Sequence, residues 1–445
     1  MTESTPPVSA TKPATEKHPG MWRFFVYSAV GIFAFFITFS YNGTSSILLD
    51  HIVTFIKLNA AAVLPYLVVL GCLAGTVLPF FDGSWKASAV NKIFTVFKFA
   101  GLVIALMLVT GMGPELLFRK DFGPFLMNAL AINVGLLVPI GAIFLGFLLG
   151  FGLLEFVGAL VENFMRPVFK TPGRSAVDAV ASFVGSYSLG MLITNRIYKD
   201  GGYTAREAVI IATGFSTVSA TFMVVVVSSL DLMHRWNTYF WTTLVVTFLV
   251  TAVTVRIPPL STIPDTIYGG KDPLPSPPSE NRLKNAWADA RLKVAEAPSL
   301  PVVMWTNFMD GVRMTVAVVP SIMSIGLIGL LLAKFTPIFK ILGYLFYPIT
   351  ALLGLPDAQL ASEAAALGVS EMFLPAALVT EAAMATRFVI AIVCVSQVIF
   401  FSAMVPCLLA TSIPVSVRQL FIIWAERVAL SLLFAIPAAY LFIGR

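Results

Sequence analysis

The chain has 445 residues, of which 58% are hydrophobic and only 12% charged, whereas an ordinary soluble domain carries about 25% charged residues. With a mean hydropathy of +0.89, this excludes a soluble globular fold and defines an all-α polytopic membrane protein. Lys and Arg number 29 against 23 Asp and Glu, but the cations are scattered over loops and helix ends and form no stripe along a phosphate backbone, so they encode topology and predict no nucleic-acid partner.

Residues 1–20 are polar, with Pro6, Pro7 and Pro13, and read as a disordered tail before a retained first helix. Residues 21–123 hold three spans, Met21–Tyr41, Ala60–Phe81 and Ile93–Met112, each close to the roughly 20 apolar residues that cross a bilayer. Residues 124–256 hold Asn133–Leu154, an interrupted segment Ala179–Ile197, then Val209–Leu230 and Thr238–Val255. The Pro-rich interval 257–300 reads as a linker with a short helix whose Trp287 would rest on the membrane interface. Residues 301–445 hold Met314–Ala333, a second interrupted segment Gln359–Ala383, then Phe388–Val417 and Ala429–Ile443.

Lys and Arg collect in the tail, between the second and third spans, after the fourth, through the linker and, as Arg418 and Arg427, before the last span. That distribution places the amino terminus and the linker in the cytoplasm. Ala179–Ile197 has Lys170 and Arg174 before it and Arg196, Lys199 and Arg206 after it, so the chain re-enters and returns to the same face. With Gln359–Ala383 this predicts about nine transmembrane helices and two re-entrant helical hairpins. Non-helical backbone at that depth must be buried in protein or line a wet cavity.

The two halves repeat. Pro139 and Pro320 differ by 181, as do Pro167 and Pro348, while Gly185 and Gly368, like Ser219 and Ser402, differ by 183. One duplicated unit explains the constant offset, and an odd number of crossings between the two starts inverts the second copy against the first, an arrangement that can expose one site alternately to each side.

Candidate chemistry gathers at the interruptions. The first hairpin has Gly185, Ser186, Tyr187 and Ser188 at its presumed tip, and the next span carries Thr213, Phe215, Ser216, Thr217 and Ser219 around Gly214. Single hydroxyls of this kind often only bond back to their own helix, but as a set beside a re-entrant hairpin they point to a solute-facing surface. The second half offers Gly368, Ser370 and Glu371 at its tip and Ser396, Gln397 and Ser402 in Phe388–Val417, where Pro406 predicts a break. Gln397 is the strongest polar ligand candidate. Glu371, an ionisable group at membrane depth, is a functional candidate by default, for binding or for carrying a coupling ion, proton or sodium. Tyr187 and Phe215 add rings on which a solute could stack. Ser175-Ala-Val-Asp178 and Thr204-Ala-Arg-Glu207 fit the helix capping pattern.

Other chemistries find no support. Cys72, Cys394 and Cys407 lie in apolar runs without CxxC spacing, and His18, His51 and His234 are far apart, so no disulfide framework, metal site or cofactor is expected. Walker A, dinucleotide, HExxH and serine-elbow motifs do not occur, and no enzymatic activity is expected.

Gly185-Ser-Tyr-Ser-Leu-Gly190, Thr194-Asn195-Arg196, Gly214-Phe-Ser-Thr-Val-Ser219, and the opening Trp22-Arg23-Phe24-Phe25 and Tyr41-Asn42-Gly43 resemble YjiH-type bacterial membrane proteins, which carry the nucleoside recognition or Gate domain. More distantly the chain is similar to concentrative nucleoside transporters, in which two re-entrant hairpins and two broken helices enclose the solute. The resemblance implies tips at Gly185–Ser188 and Gly368–Glu371 and broken helices through Thr213–Ser219 and Ser396–Ser402, although Ser-Tyr-Ser stands where those transporters carry a Gln-Thr-Glu type of cluster. The function expected is secondary transport of a small polar organic solute, nucleoside-like or amino-acid- or peptide-like, across a bacterial cytoplasmic membrane, with the first three helices as scaffold or subunit contact in a homo-oligomer. The alternative is a non-transporting component that uses the Gate fold to bind a second Gate-domain membrane protein.

Overall fold

The computed structural model describes residues 20–444 apart from 42–43, 87–88, 121, 177, 180–186, 219, 271–281, 403 and 410. Helix α1 (Trp22–Phe36) is followed by an antiparallel strand pair, β1 (Thr38–Tyr41) and β2 (Thr44–Ile47), then by α2 (Leu48–Ala60), α3 (Leu64–Phe81) and α4 (Ala89–Thr110). The expected first span through Tyr41 therefore ends early. Thr38, Phe39 and Tyr41 are residue types that favour a strand, and the Ile37 backbone is already extended.

The first half continues with α5 (Gly123–Leu148), wound as a π-helix over Leu126–Ala131, then α6 (Leu153–Phe164), α7 (Tyr187–Lys199), α8 (Ala205–Gly214), α9 (Ala220–Ser229) and α10 (Trp236–Thr254). The linker helix is α11 (Arg282–Glu296). The second half comprises α12 (Leu300–Phe335), α13 (Ile338–Gly343), α14 (Tyr347–Leu352), α15 (Ala358–Leu367), α16 (Leu374–Leu378), α17 (Met384–Ser396), α18 (Met404–Leu409) and α19 (Val417–Phe442). Among the described residues six helices are long and apolar enough to cross a membrane: α3, α4, α5, α10, α12 and α19. Val209–Leu230 and Phe388–Val417 are both split in two, within the stretches Thr213–Ser219 and Ser396–Ser402 where the resemblance implies broken helices. The second split lies at Gln397–Ser402, ahead of the expected Pro406, which sits inside α18.

The split helices correspond closely in position. In the first, the Thr217 amide donates to the Phe215 carbonyl at 2.7 Å, and in the second the Ile399 amide donates to the Gln397 carbonyl at 2.6 Å. Both are tight three-residue turns at an offset of 182 (397 − 215), but of opposite hand: the central Val398 has φ of +59°, whereas Ser216 keeps a negative φ. Helix α10 starts at Trp236 and α19 at Val417, an offset of 181.

Both interrupted segments close on themselves. Tyr203 Oη donates to Asp178 Oδ2 at 2.8 Å, and Arg174 bonds the Gly202 carbonyl, so chain positions some 25 residues apart meet. In the second half the Ala383 amide donates to Asp357 Oδ2 at 2.9 Å, and Thr386 bonds the Pro356 carbonyl. Asp178 is thus recruited by Tyr203 and does not make the expected capping box, whose Ser175 hydroxyl instead bonds the Pro172 carbonyl at 2.7 Å. The box at Thr204 and Glu207 does form, with reciprocal bonds of 2.9 and 3.2 Å.

Helix α12 joins the halves. Its Gly326 lies beside Leu126, Gly311 beside Pro139 and Ala142, and Val303 and Asn307 beside Gly146, so α5 and α12, the equivalent helices of the two halves, run antiparallel. Gly75 of α3 and Gly101 of α4 lie against the Val316 and Pro320 carbonyls. A side chain at either would drive into α12 backbone, which is why small residues occur at these crossings. The linker helix α11 buries Ala286, Ala290 and Val294, and its Trp287 ring packs edge-on against Phe24 at 5.7 Å. Gly152, with φ of +89°, faces the Ala290 backbone; both its conformation and the close approach require glycine.

Candidate solute cavity

The second hairpin and the second split helix are bonded to each other. Where α15 stops, the amides of Phe401 and Ser402 donate to the carbonyls of Val369 and Ser370 at 2.8 and 2.9 Å. Backbone that has left the helix is thereby satisfied inside protein. Glu371 sits at this junction, 8% exposed, and its Oε2 accepts the Phe373 amide at 2.6 Å just before α16. Val398 has φ of +59°, a left-handed conformation that strains a β-branched residue by about 1–3 kcal/mol and persists only where the surroundings over-determine it.

Helix α19 supplies those surroundings from one face. Trp424 Nε1 donates to Gln397 Oε1 at 3.2 Å, the fully buried Arg427 donates to the Ser396 carbonyl through Nε and Nη2 at 3.0 and 2.7 Å, and Ser396 Oγ donates to Ser431 Oγ at 2.6 Å. The spacing 424, 427, 431 brings all three to one side of a helix. In the first half Thr251 of α10 acts in the same way, its hydroxyl donating to the Gly214 carbonyl at 2.9 Å.

The two halves meet across these interruptions. The Tyr187 and Phe400 rings contact edge-on at 5.7 Å, Phe222 meets Phe373 at 6.3 Å, and the Ser412 amide donates to Asn195 Oδ1 at 2.9 Å. Between this assembly and helices α4, α5 and α12 lies a cavity of about 480 Å³, within the range of small-molecule sites. Tyr187 and Asn195 line it from the first half, Glu371, Ser402 and Thr411 from the second, and Asn91, Lys98, Thr315 and Ser321 from the facing helices. Among the described residues the buried Thr315 hydroxyl has no hydrogen-bond partner.

Of the residues singled out in the sequence, Tyr187, Glu371 and Ser402 thus come together on one cavity. Others are held elsewhere. Gln397 is turned onto Trp424 and packs over Gly368; Ser396 is bonded to Ser431; Ser370 Oγ donates to the Leu367 carbonyl at 2.7 Å. Thr213 bonds back to Val209 at 2.7 Å, and Phe215 packs against Phe169 and Phe248 at 5.1 and 5.8 Å. Ser216 and Thr217 are buried, Thr217 with its hydroxyl unpaired. Gly185, Ser186 and Ser219 lie outside the described residues, as does the side chain of Ser188.

Sequence reasoning passed over Asn91, Lys98, Asn195, Thr315, Ser321 and Thr411. Asn195 stood inside a quoted motif, and its position one turn from the hairpin's end was the available signal. Arg427 was placed ahead of the last span; it lies ten residues inside α19, which begins at Val417, because a window chosen to avoid charge started after it.

Six apolar helices long enough to span a bilayer, with two further helices split beside a cavity, define a polytopic helical membrane protein. Residues 131–233 match the family model "Gate: Nucleoside recognition", and an uncharacterized protein of Alkalihalophilus pseudofirmus is 33% identical over 451 residues, covering 94% of each chain. The chain belongs to the same family of Gate-domain membrane proteins as that relative. Solved structures of CNTnw are also similar: an inward-facing substrate-bound state (14% identical, 95% of this chain and 99% of that chain, TM-score 0.46) and a variant in an outward-facing state (14%, 96% and 100%, 0.48).

Proposed function

We propose that the protein is a secondary transporter of a small polar organic solute, nucleoside-like in the first instance, working by alternating access across a bacterial cytoplasmic membrane with its amino terminus inside. One observation carries the reading: polar side chains from both halves, Tyr187, Asn195, Glu371 and Ser402, converge on one cavity where two interruptions meet. A module built only to bind a partner protein has no need of such convergence. Antiparallel α5 and α12 support two inverted units, and the Gate match supports a nucleoside-like solute. Tyr187, Phe222 and Phe400 offer ring faces, Asn195 and the unpaired Thr315 hydroxyl offer hydrogen bonds, and Glu371 accepts from a donor group on the solute or carries a coupling proton.

A thermal-shift screen of the purified protein against nucleosides, bases, amino acids and short peptides tests this. A ligand at a hundredfold excess over its Kd adds about 2.7 kcal/mol of apparent stability. We expect a nucleoside-class compound to give a shift that is lost in Asn195→Ala and Glu371→Gln, both of which still melt cooperatively. No shift with any compound would overturn the transport reading in favour of a Gate-domain component that acts with a partner.

A further inference from the structure

Arg427 is fully buried, and among the described residues no carboxylate lies within salt-bridge distance of it. Its bonds go to helix ends. Nε and Nη2 donate to the carbonyl of Ser396, the last residue of α17, and Nη1 donates to Thr251 Oγ1 at 3.0 Å. That hydroxyl lies 2.9 Å from two carbonyls, that of Gly214, the last residue of α8, and that of Thr247 one turn back on α10, and its single proton serves both. The carboxyl ends of the two half-helices therefore converge on one guanidinium. Each such end carries about −0.5 elementary charge, so two together present about −1, which one guanidinium cancels. Inside split-helix membrane proteins, carbonyls of this kind are where a mobile cation is otherwise held.

We propose that Arg427 is a built-in cation, standing where the two half-helix ends would otherwise call for a mobile one. The locus is thereby closed to sodium. Resting on the transport reading above, the consequence is that solute movement does not draw on sodium at this position, and any coupling ion acts elsewhere, with Glu371 facing the cavity as the group available to it. The charge argument itself stands on the geometry alone and is tested by stability, so it can fail or hold independently of transport.

The experiment compares melting of wild type, Arg427→Lys, Arg427→Met, Arg427→Ala and Thr251→Val in detergent, in sodium, guanidinium or choline chloride at equal ionic strength and non-denaturing concentration. Wild type is expected to melt alike in sodium and choline. Arg427→Lys is expected to keep more stability than Arg427→Met, although methionine also fills the space, and Arg427→Ala to recover part of its loss in guanidinium and less in choline. Thr251→Val, which leaves the arginine in place, is expected to lower the melting temperature by a few degrees without gaining any sodium response. The proposal is overturned if methionine serves as well as lysine, or if wild type shows a sodium-specific rise that Thr251→Val abolishes. Should the alanine variant not fold, lysine against methionine decides; should neither of those fold, the sodium response of wild type and Thr251→Val decides.

Discussion

The two interruptions share a short amide-to-carbonyl bond, and differ in the hand of the turn and in what holds it. The turn at Phe215–Thr217 and the turn at Gln397–Ile399 carry the same amide-to-carbonyl bond, yet the first is packed by the rings of Phe169 and Phe248, and the second is gripped by hydrogen bonds from Trp424, Arg427 and the hairpin backbone. Phe215 and Gln397 occupy equivalent positions with opposite chemistry. The first break is held mainly by ring packing, with one hydroxyl bond from Thr251 to the Gly214 carbonyl; the second is held mainly by side-chain hydrogen bonds. The second break faces the cavity through Ser402, with Glu371 beside it.

Exchanging the two residues gives the largest expected effect. Gln397→Phe leaves the Trp424 indole N–H unpaired and crowds Gly368, while Phe215→Gln buries an amide among phenyl rings; each should cost about 2–5 kcal/mol from an unpaired polar group and overpacking together. Melting of the purified variants measures this, and a swap tolerated within a few degrees would mean that the two hinges are not chemically distinct. Next come the bonds that close the hairpins. Tyr203→Phe takes a donor from Asp178, which is 3% exposed, at about 1–3 kcal/mol, whereas Asp357→Ala removes a bond in exposed surroundings at about 1 kcal/mol or less. Hydrogen exchange of the two hairpins should rank them in that order, and the reverse order would show the second hairpin to be the more dependent on its clasp. Comparable small effects belong to two helix starts, where the halves differ: Thr204→Ala at α8 and Ser416→Ala at α19 each open a capping box and should each cost about 1 kcal/mol, visible as small losses in melting temperature, whereas the starts of α17 and α10 have no side-chain cap to lose.

Much of this design was legible from the chain. Cations on both sides of Ala179–Ile197 point to a segment that turns back; its turn lies outside the described residues, and the bonds of Arg174 to Gly202 and of Tyr203 to Asp178 bring the flanking residues together. The offset of 181 to 183 points to a repeat, and both split helices carry an amide-to-carbonyl bond two residues long at an offset within that range. What composition and spacing do not encode is azimuth. Gln397 and Ser402 sit five residues apart in one interruption, and only the contacts with Trp424 and with the hairpin decide that the first turns away from the cavity and the second toward it. Arg427 escaped notice for a related reason: hydropathy penalises a charge inside a span, while two helix ends that converge on it from distant parts of the chain are invisible to any window.

Helix α12 carries a mechanical consequence. Its 36 residues form a rod of about 54 Å at about 1.5 Å per residue, nearly twice the roughly 30 Å hydrocarbon core. Met314, Thr315 and Ser321 form part of the cavity wall, while the preceding stretch bears the exposed Asp310–Arg313 pair at 3.0 Å and runs on from the linker. Rotating such a rod by about 10° at the height of the cavity moves its first residue, some 20 Å away, by about 3–4 Å. The cavity wall and the linker end are thus two points on one lever, and a load applied at Leu300 is felt where the solute would sit.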